Sequence, residues 1–357
     1  MVNPPIKLLI AASGTGGHLF PAIALAEKLS EYNIEWLGVS NRLETQLVPG
    51  TYPLNTVAVA GFQQGFSLSS IRVLWKLMTG ILKVRRILKQ GKFHGVFTTG
   101  GYIAGPAVIA ARLLGLPVVF HESNAIPGKV TRFFGPWCNA VAIGFDVTAQ
   151  YLPRSQTVCV GTPVRSQFLD EGIDSTLDLP IPDNIPLIVV FGGSQGAVAV
   201  NKLVRQSADA LFQAGAYIVH LTGENDPDIN SIQHPQYIAL PFYDNMAALL
   251  RRANLVISRS GAGSLTELAV CGKPAILIPY PFAAEDHQSY NAKVFTQVGA
   301  ALSFKQSDLT PEILTTQILN LLQSPAELAI MAEKAKTLAV PDSADKLATL
   351  VREVMGD

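Results

Sequence analysis

Two stretches set half a chain apart restrict the architecture more than any other feature. Residues 8–17 read LLIAASGTGG and residues 188–197 read IVVFGGSQGA, each an apolar run, then a glycine turn, then the start of a segment with helical spacing. A β-strand that passes through glycines into an α-helix is the opening of a doubly wound α/β unit. Made twice in 357 residues, this move predicts two such units, each long enough to bury its own core.

Further apolar runs of strand length occur at 34–39, 96–99, 118–121, 217–221, 255–258 and 275–279. Most are continuously apolar, as parallel strands covered on both faces must be. Segments with helical spacing separate them at 21–31, 198–213, 265–271 and 291–298, and two or three more helices are expected beyond Thr310. Strand alternating with helix makes βαβ units with right-handed crossovers, so the predicted fold class is α/β, two Rossmann-like, doubly wound parallel-sheet domains. The division is placed at GTPVR, with an N-terminal domain at 1–162, a C-terminal domain at 163–340, and a last helix at 341–357 that packs back on the first domain.

Apolar residues make up 48% of the chain and charged ones 15%, which excludes a disordered protein. The 27 Lys and Arg balance 27 Asp and Glu, so there is no global basic field and no nucleic-acid partner is expected. Mean hydropathy is +0.29, yet no apolar stretch approaches the roughly 18–20 residues of a spanning helix. Cys138, Cys159 and Cys271 lie far apart, without metal-ligand spacing, and read as idle thiols in a reducing cytosol. The first ten residues lack the long apolar segment and cleavage site of a secretory signal and read as the lead-in to a strand.

The loops at the strand ends carry the chemistry. Gly14-Thr15-Gly16-Gly17-His18 brings backbone N–H groups and a helix start to one place. Leu19 stands where a dinucleotide fingerprint has its third glycine, and Val39-Ser40-Asn41 stand where it has an acid, so a dehydrogenase is disfavoured. Gly100-Gly101-Tyr102 would line the same crevice. Gly192 to Ala197, with Ser194, Gln195 and Gly196, offers N–H donors and a hydroxyl to a diphosphate, and it lacks the Lys-Ser/Thr ending of a P-loop.

A fourth loop, Ser260 to Glu267, puts Gly263, Ser264, Leu265 and Thr266 at a helix start. Glu267 is expected in the first turn, complementing the helix dipole or accepting from ribose hydroxyls. Asp286-His287-Gln288-Ser289-Tyr290-Asn291 either caps a helix or joins Glu267 at a sugar-nucleotide site. Asp226-Pro227-Asp228 matches a metal-binding DxD motif only superficially and reads as an Asx turn; no metal or other cofactor is expected.

Together, GTGGH with Pro21, GGYIAGP at 100–106, HESNAIPG at 121–128, GTPVR at 161–165, GGSQGA at 192–197, and SGAGSLTE at 260–267 through DHQSYNA at 286–292 resemble the MurG family, bacterial N-acetylglucosaminyltransferases of peptidoglycan assembly. The likeness spans nearly the whole chain. It implies the GT-B glycosyltransferase arrangement, two Rossmann-like domains facing a cleft. It also implies transfer of N-acetylglucosamine from UDP-N-acetylglucosamine to the 4-hydroxyl of the muramoyl sugar of undecaprenyl-linked lipid I, with inversion, giving lipid II and UDP.

Carried over by position, Thr15, Gly16, Gly17 and Asn124 contact the donor sugar or line the acceptor side. Arg165, Ser194, Glu267 and Gln288 hold UDP, with Gln195, Gly196 and residues 263–266 beside them, and Tyr243 and Met246 lie near the uracil. The family often has a small aliphatic residue where Tyr243 stands. The resemblance places the chain at the cytoplasmic face of the bacterial plasma membrane, with cell-wall assembly proteins as partners.

Inversion in one displacement requires a base for the attacking hydroxyl and stabilisation of the departing diphosphate. His18 is the first candidate for the base; its other role is to cap its helix or hydrogen-bond a sugar. His121 and Glu122 form the reserve pair, whose other role is to orient the Asn124 loop. Arg165 and a helix start at 194–197 are expected to supply positive potential.

A helix expected at 71–89 projects Arg72, Lys76, Lys83 and Arg86 on one side, bordered by Ile71, Trp75, Met78 and Leu82. This is either the solvated edge of a buried helix or, given a lipid acceptor, a contact with an anionic membrane surface. The rival functions are a diacylglycerol galactosyltransferase-like enzyme, a UDP-N-acetylglucosamine 2-epimerase and a non-catalytic nucleotide-sugar subunit. HESN with GGYIAGP favours the peptidoglycan enzyme over the first. The epimerase has no use for the greasy basic helix, and both halves plus His18 in one chain argue against the third.

Overall fold

A computed structural model describes residues 5–40, 43–57, 68–170, 177–193 and 196–356, the side chains of 68–74 and 76 excepted. It divides into two compact units, Met1–Arg165 with Val340–Asp357, and Ser166–Ala339. In the first unit the chain runs β1 (Lys7–Ala11), α1 (Gly16–Lys28), β2 (Asn33–Gly38), α2 (Glu44–Leu47), β3 (Leu54–Thr56), α3 (Leu68–Gly91), β4 (Gly95–Thr98), α4 (Ala104–Arg112), β5 (Val118–Glu122), α5 (Lys129–Phe134), β6 (Ala140–Ile143) and β7 (Thr157–Cys159). Among the described residues its sheet has the order β3-β2-β1-β4-β5-β6-β7, parallel throughout.

The second unit runs β8 (Leu187–Phe191), α6 (Val198–Gln213), β9 (Tyr217–Leu221), β10 (Tyr237–Leu240), α7 (Met246–Arg252), β11 (Leu255–Ser258), α8 (Ala262–Val270), β12 (Ala275–Leu277), α9 (His287–Val298), β13 (Ala301–Ser303), α10 (Pro311–Leu322) and α11 (Pro325–Lys336). Its strands, again parallel, lie in the order β10-β9-β8-β11-β12-β13. The closing helix, α12 (Ser343–Met355), belongs to the first unit.

The period-2 geometry of a strand explains why β1 is apolar at every position after Lys7. Leu8 and Ile10 enter a core with Trp36, Phe97 and α1, whereas Leu9 and Ala11 enter the opposite one, beneath α3 and α4. Helix α12 presents Leu347, Ala348 and Val351 to Leu19, Ala22 and Leu25 of α1. Lys28 and Asp345 pair at 2.8 Å and Arg352 and Glu31 at 2.6 Å across the same contact.

Helix α3 buries Ile81, Val84 and Leu88, at i, i+3 and i+7, and leaves Trp75, Met78 and Leu82 71%, 49% and 60% exposed on its other side. Lys83 and Arg86 are exposed there too, Lys83 donating to the Thr56 carbonyl at 2.8 Å. The side chains of Ile71, Arg72 and Lys76 lie outside the described residues. No described helix is long and apolar enough to cross a membrane.

Two expectations about helix starts are corrected. Helix α1 begins at Gly16, not at 21, because the glycines wind into its first turn and Pro21 is carried inside. Helix α6 begins at Val198, after the 194–197 stretch expected to open it. Strands β3, β6, β7, β10 and β13 are missing from the expected set, each being only three or four residues long, too few to show a period.

Candidate functional site

In an open parallel sheet the crevice forms where successive connections leave in opposite directions, at the carboxyl ends of the strands. The strand order puts that point between β1 and β4 in the first unit and between β8 and β11 in the second. All four loops singled out by their glycines follow one of these four strands.

In the first unit, β1 delivers Gly14 and Thr15, and α1 winds Gly16, Gly17 and His18 into its first turn, where N–H groups have no intrahelical acceptor. The His18 ring crosses the switch point, its Nδ1 lying 2.7 Å from the Thr99 carbonyl oxygen beyond β4. A carbonyl only accepts, so Nδ1 carries the proton, and Nε2 of the neutral ring keeps its lone pair. Gly100, at φ +101°, lies under this ring, and a Cβ there would stand 3.4 Å from His18 Cε1. A side chain would meet both the unfavourable φ and the ring. The Arg165 guanidinium carbon lies 4.7 Å from the centre of the Phe20 ring on α1.

The reserve pair is held by hydrogen bonds within the first unit. Glu122 is buried at the end of β5, where Oε1 accepts from the Asn124 N–H and side-chain amide, both at 3.0 Å, and Oε2 from the Gly128 N–H at 3.0 Å and the Thr131 hydroxyl at 2.6 Å. With both oxygens so engaged, Glu122 ties down the Asn124 loop, the other role expected of the pair. His121 is fully buried and its Nε2 donates to the Gly161 carbonyl at 3.0 Å. Burial holds its pKa below the usual value against that bond and the Glu122 charge.

In the second unit, Ser194 and Gln195 lie outside the described residues. Gly196, at φ +73°, packs so closely on the Thr222 carbonyl that a Cβ would collide with it. That carbonyl accepts from Asn201 Nδ2 at 2.8 Å, and Asn201 is also tied to His220 Nε2 at 3.0 Å and to Asp226. Asp226 binds Arg205 in bidentate fashion and accepts from the Asp228 N–H at 2.9 Å, the Asx turn expected of Asp226-Pro227-Asp228. No group of three His, Cys, Asp or Glu able to hold a metal occurs among the described residues.

Beyond β11, helix α8 points the N–H groups of its first turn, at Ala262, Gly263 and Ser264, toward the crevice. Glu267 is in the second turn, not the first as expected, on the face it shares with Gly263 and Ser264 at i+4 and i+3. Leu265 is fully buried, so only its backbone is available. Thr266 returns its hydroxyl to the Ala262 carbonyl at 2.9 Å.

Helix α9 braces this loop. The Ser260 hydroxyl donates to the Gln288 carbonyl at 2.8 Å, and buried Asn291 donates to the Ser260 carbonyl at 3.1 Å. Gln288 accepts the Tyr280 N–H at 2.9 Å, which leaves its amide NH2 as a donor. Tyr243, expected near uracil, gives its hydroxyl to Asp178, and burial with that carboxylate pushes the phenol up to about 12. Met246 is buried at the start of α7.

The sequence reading missed Glu44, Asn201 and Arg259. Buried Arg259, immediately after β11, donates to the carbonyls of Ile278 and Pro279 at 3.0 and 3.1 Å and to Gln306 at 2.7 Å. An arginine separated only by Ser258 from the apolar run Leu255-Val256-Ile257 was the available signal.

Residues 8–143 match the model of the glycosyltransferase family 28 N-terminal domain and residues 187–347 that of its C-terminal domain. A relative from a Nostoc species, the UDP-N-acetylglucosamine–N-acetylmuramyl-(pentapeptide) pyrophosphoryl-undecaprenol N-acetylglucosamine transferase, is 78% identical over 99% of both chains. The crystal structure of MurG from Acinetobacter baumannii is 31% identical, with a TM-score of 0.79 over 98% of this chain and 100% of that one. The crystal structure of a UDP-N-acetylglucosamine 2-epimerase from Listeria monocytogenes has a TM-score of 0.71 over 98% of this chain and 96% of that one, at 12% identity, and shares the fold alone. With both family domains matched in order and full-length identity of this degree, the chain belongs to glycosyltransferase family 28 and, within it, to the MurG family of N-acetylglucosamine transferases.

Proposed function

We propose that this protein transfers N-acetylglucosamine from UDP-N-acetylglucosamine to the 4-hydroxyl of the muramoyl sugar of undecaprenyl-linked lipid I, forming lipid II and UDP with inversion. The family membership and the 78% identity to a relative bearing that activity's name support the substrates. The observation that carries the chemistry is the His18 ring, fixed at Nδ1 by the Thr99 carbonyl with Nε2 left to accept. In a single displacement the acceptor O4 bonds to the anomeric carbon, the bond from that carbon to the diphosphate breaks, the O4 proton passes to Nε2, and UDP leaves with the electron pair. The first-turn N–H groups of α8, together with Arg165 and Ser194, are the candidate donors to the departing diphosphate, Glu267 the acceptor for ribose hydroxyls, and Gln288 the donor to the sugar. The donor sugar and acceptor are assigned to Thr15, Gly16, Gly17 and Asn124.

A lipid-linked acceptor calls for a membrane-facing surface. The exposed Trp75, Met78 and Leu82 of α3, with Lys83 and Arg86 beside them, fit one at the cytoplasmic face of the plasma membrane. The test is incubation of labelled UDP-N-acetylglucosamine with a lipid I analogue, with UDP-galactose and diacylglycerol as the control pair. Product from the first pair alone is expected, and His18→Ala should lower turnover by about 10²-fold or more while UDP binding changes little. A near wild-type rate in that variant discards the base.

A further inference from the structure

Glu44 has no part in the chemistry described so far. It opens α2, six residues beyond the end of β2, and is fully buried. Its Oε1 accepts from the Val39 N–H at 2.6 Å and its Oε2 from the Gly14 N–H at 3.3 Å. The backbone at Gly38 presses on its stem, and a Cβ there would stand 2.7 Å from Glu44 Cγ. One residue pair earlier on the same strands, the buried Trp36 indole donates to the Ala12 carbonyl at 3.0 Å. The turn that leaves β1 is thus held from the β2 side by two side chains, while His18, four residues past Gly14, is held from the β4 side by the Thr99 carbonyl.

A carboxylate taken out of water is costly unless hydrogen-bond donors replace the lost hydration. Here the donors are backbone N–H groups, and one of them belongs to the loop that delivers Thr15 and His18. Any drift of that loop away from β2 would strip Oε2 of its partner. Glu44 therefore resists such drift, and it does so from a position that no substrate atom need touch.

We propose that Glu44 is a positioning residue for the first glycine loop, its buried carboxylate fixing the Gly14 N–H and, through that turn, the orientation of His18. The proposal rests on His18 as the base, and the test separates the two. Glu44→Gln keeps the shape but has one oxygen, so its NH2 must face either the Val39 or the Gly14 N–H, donor against donor. Gly38→Ala keeps the carboxylate and displaces it through the new Cβ.

In both variants hydrogen exchange across residues 12–19 should accelerate and kcat should fall about tenfold or more. Kd for UDP, which this loop is not assigned to hold, should stay within about twofold, the signature of a misplaced loop and not of lost nucleotide binding. In a His18→Ala background, Glu44→Gln should add less than about twofold. Unchanged exchange across 12–19, an undiminished further loss in the His18→Ala background, or a parallel loss of UDP binding would overturn the proposal. A wild-type rate for His18→Ala alone would remove the base while exchange across 12–19 still decides whether Glu44 fixes the loop.

Discussion

Replacing Asp226 with Asn tests whether the second unit's glycine turn depends on the charged network beneath it. The Asp226 side chain is fully inaccessible and that of Arg205 is 8% accessible. The carboxylate meets four donor groups, the two terminal nitrogens of Arg205, Asn201 Nδ2 and the Asp228 N–H. Against the opposing effect of burial, these partners hold the Asp226 carboxyl below the usual carboxylate range. An amide has one acceptor oxygen, so its NH2 would face a donor and leave the Arg205 guanidinium with only the exposed Asp228 carboxylate, 3.9 Å away.

Breaking a buried pair from one side costs about 3–5 kcal/mol. For a unit of this size that corresponds to a melting temperature lower by about 6–20 °C. The assay follows from where the tryptophans lie. Trp36, Trp75 and Trp137 are the chain's three, and all belong to the first unit. Tryptophan emission therefore reports the first unit, whereas far-UV circular dichroism reports both. Asp226→Asn should bring an early transition into the dichroism and leave the emission transition in place. It should also weaken UDP binding, because Asn201 links Asp226 to the Thr222 carbonyl on which Gly196 packs. A loss under about 1 kcal/mol, or an equal shift of both signals, would refute the reasoning.

Three further outcomes use the same probes or the α3 surface. Burial, aided by the Arg205 charge and opposed by Asp226, lowers the His220 pKa to about 3. Its unfolded value is about 6.5, so the unfolded chain binds the extra proton between those limits. Stability is then full above about pH 6.5 and falls by on the order of 1 kcal/mol per pH unit as pH drops toward 3. His220→Asn should flatten that dependence in the dichroism transition between pH 7 and 5. The buried, lowered His121 should impose the same sign on the tryptophan transition of the first unit. On α3, replacing Trp75 with Ser and Leu82 with Gln should reduce partitioning onto anionic vesicles without altering either transition, and unchanged partitioning would refute the membrane face.

How far the sequence could be read depended on whether a feature had a local cause. The paired strand, glycine turn and helix at 8–17 and 188–197 come from local sterics and period, and both appear as β1–α1 and β8–α6. The short edge strands β3, β7 and β13 were illegible because three residues, mostly half-buried, carry no alternation. At the site, the glycines identified the loops, yet what fixes each loop is a long-range contact. His18 meets a carbonyl 81 residues away, Gly14 meets Glu44, and Ser260 meets Gln288. Glu122 shows the converse. Its residue type and place invited a catalytic role, but whether a carboxylate is available depends on how many donors surround it, and those come from residues 124 to 131.

Glu44, Glu122, Asp226 and Arg259 are the charged side chains buried among the described Asp, Glu, Lys and Arg residues. Each stands at or within six residues beyond the carboxyl end of a parallel strand, β2, β5, β9 and β11 respectively. Apart from Thr98, His121, His220 and Ser258, the side chains buried on the strands are otherwise apolar, the least expensive way to close a parallel sheet. Buried charges add little net stability and are often replaceable by apolar residues without loss. Their confinement to the ends that carry the glycine turns therefore points away from scaffold stability and toward the placement of loops. Glu44 and Arg259 act on backbone groups of a neighbouring strand's loop, Gly14 and Ile278 with Pro279 respectively, and Glu122 on Asn124 and Gly128 in the loop that follows its own strand. Asp226 acts through Asn201 on Thr222. In both units the glycines let the backbone come close to a ligand, and a buried charge one strand away prevents the freedom they bring from blurring where that backbone sits.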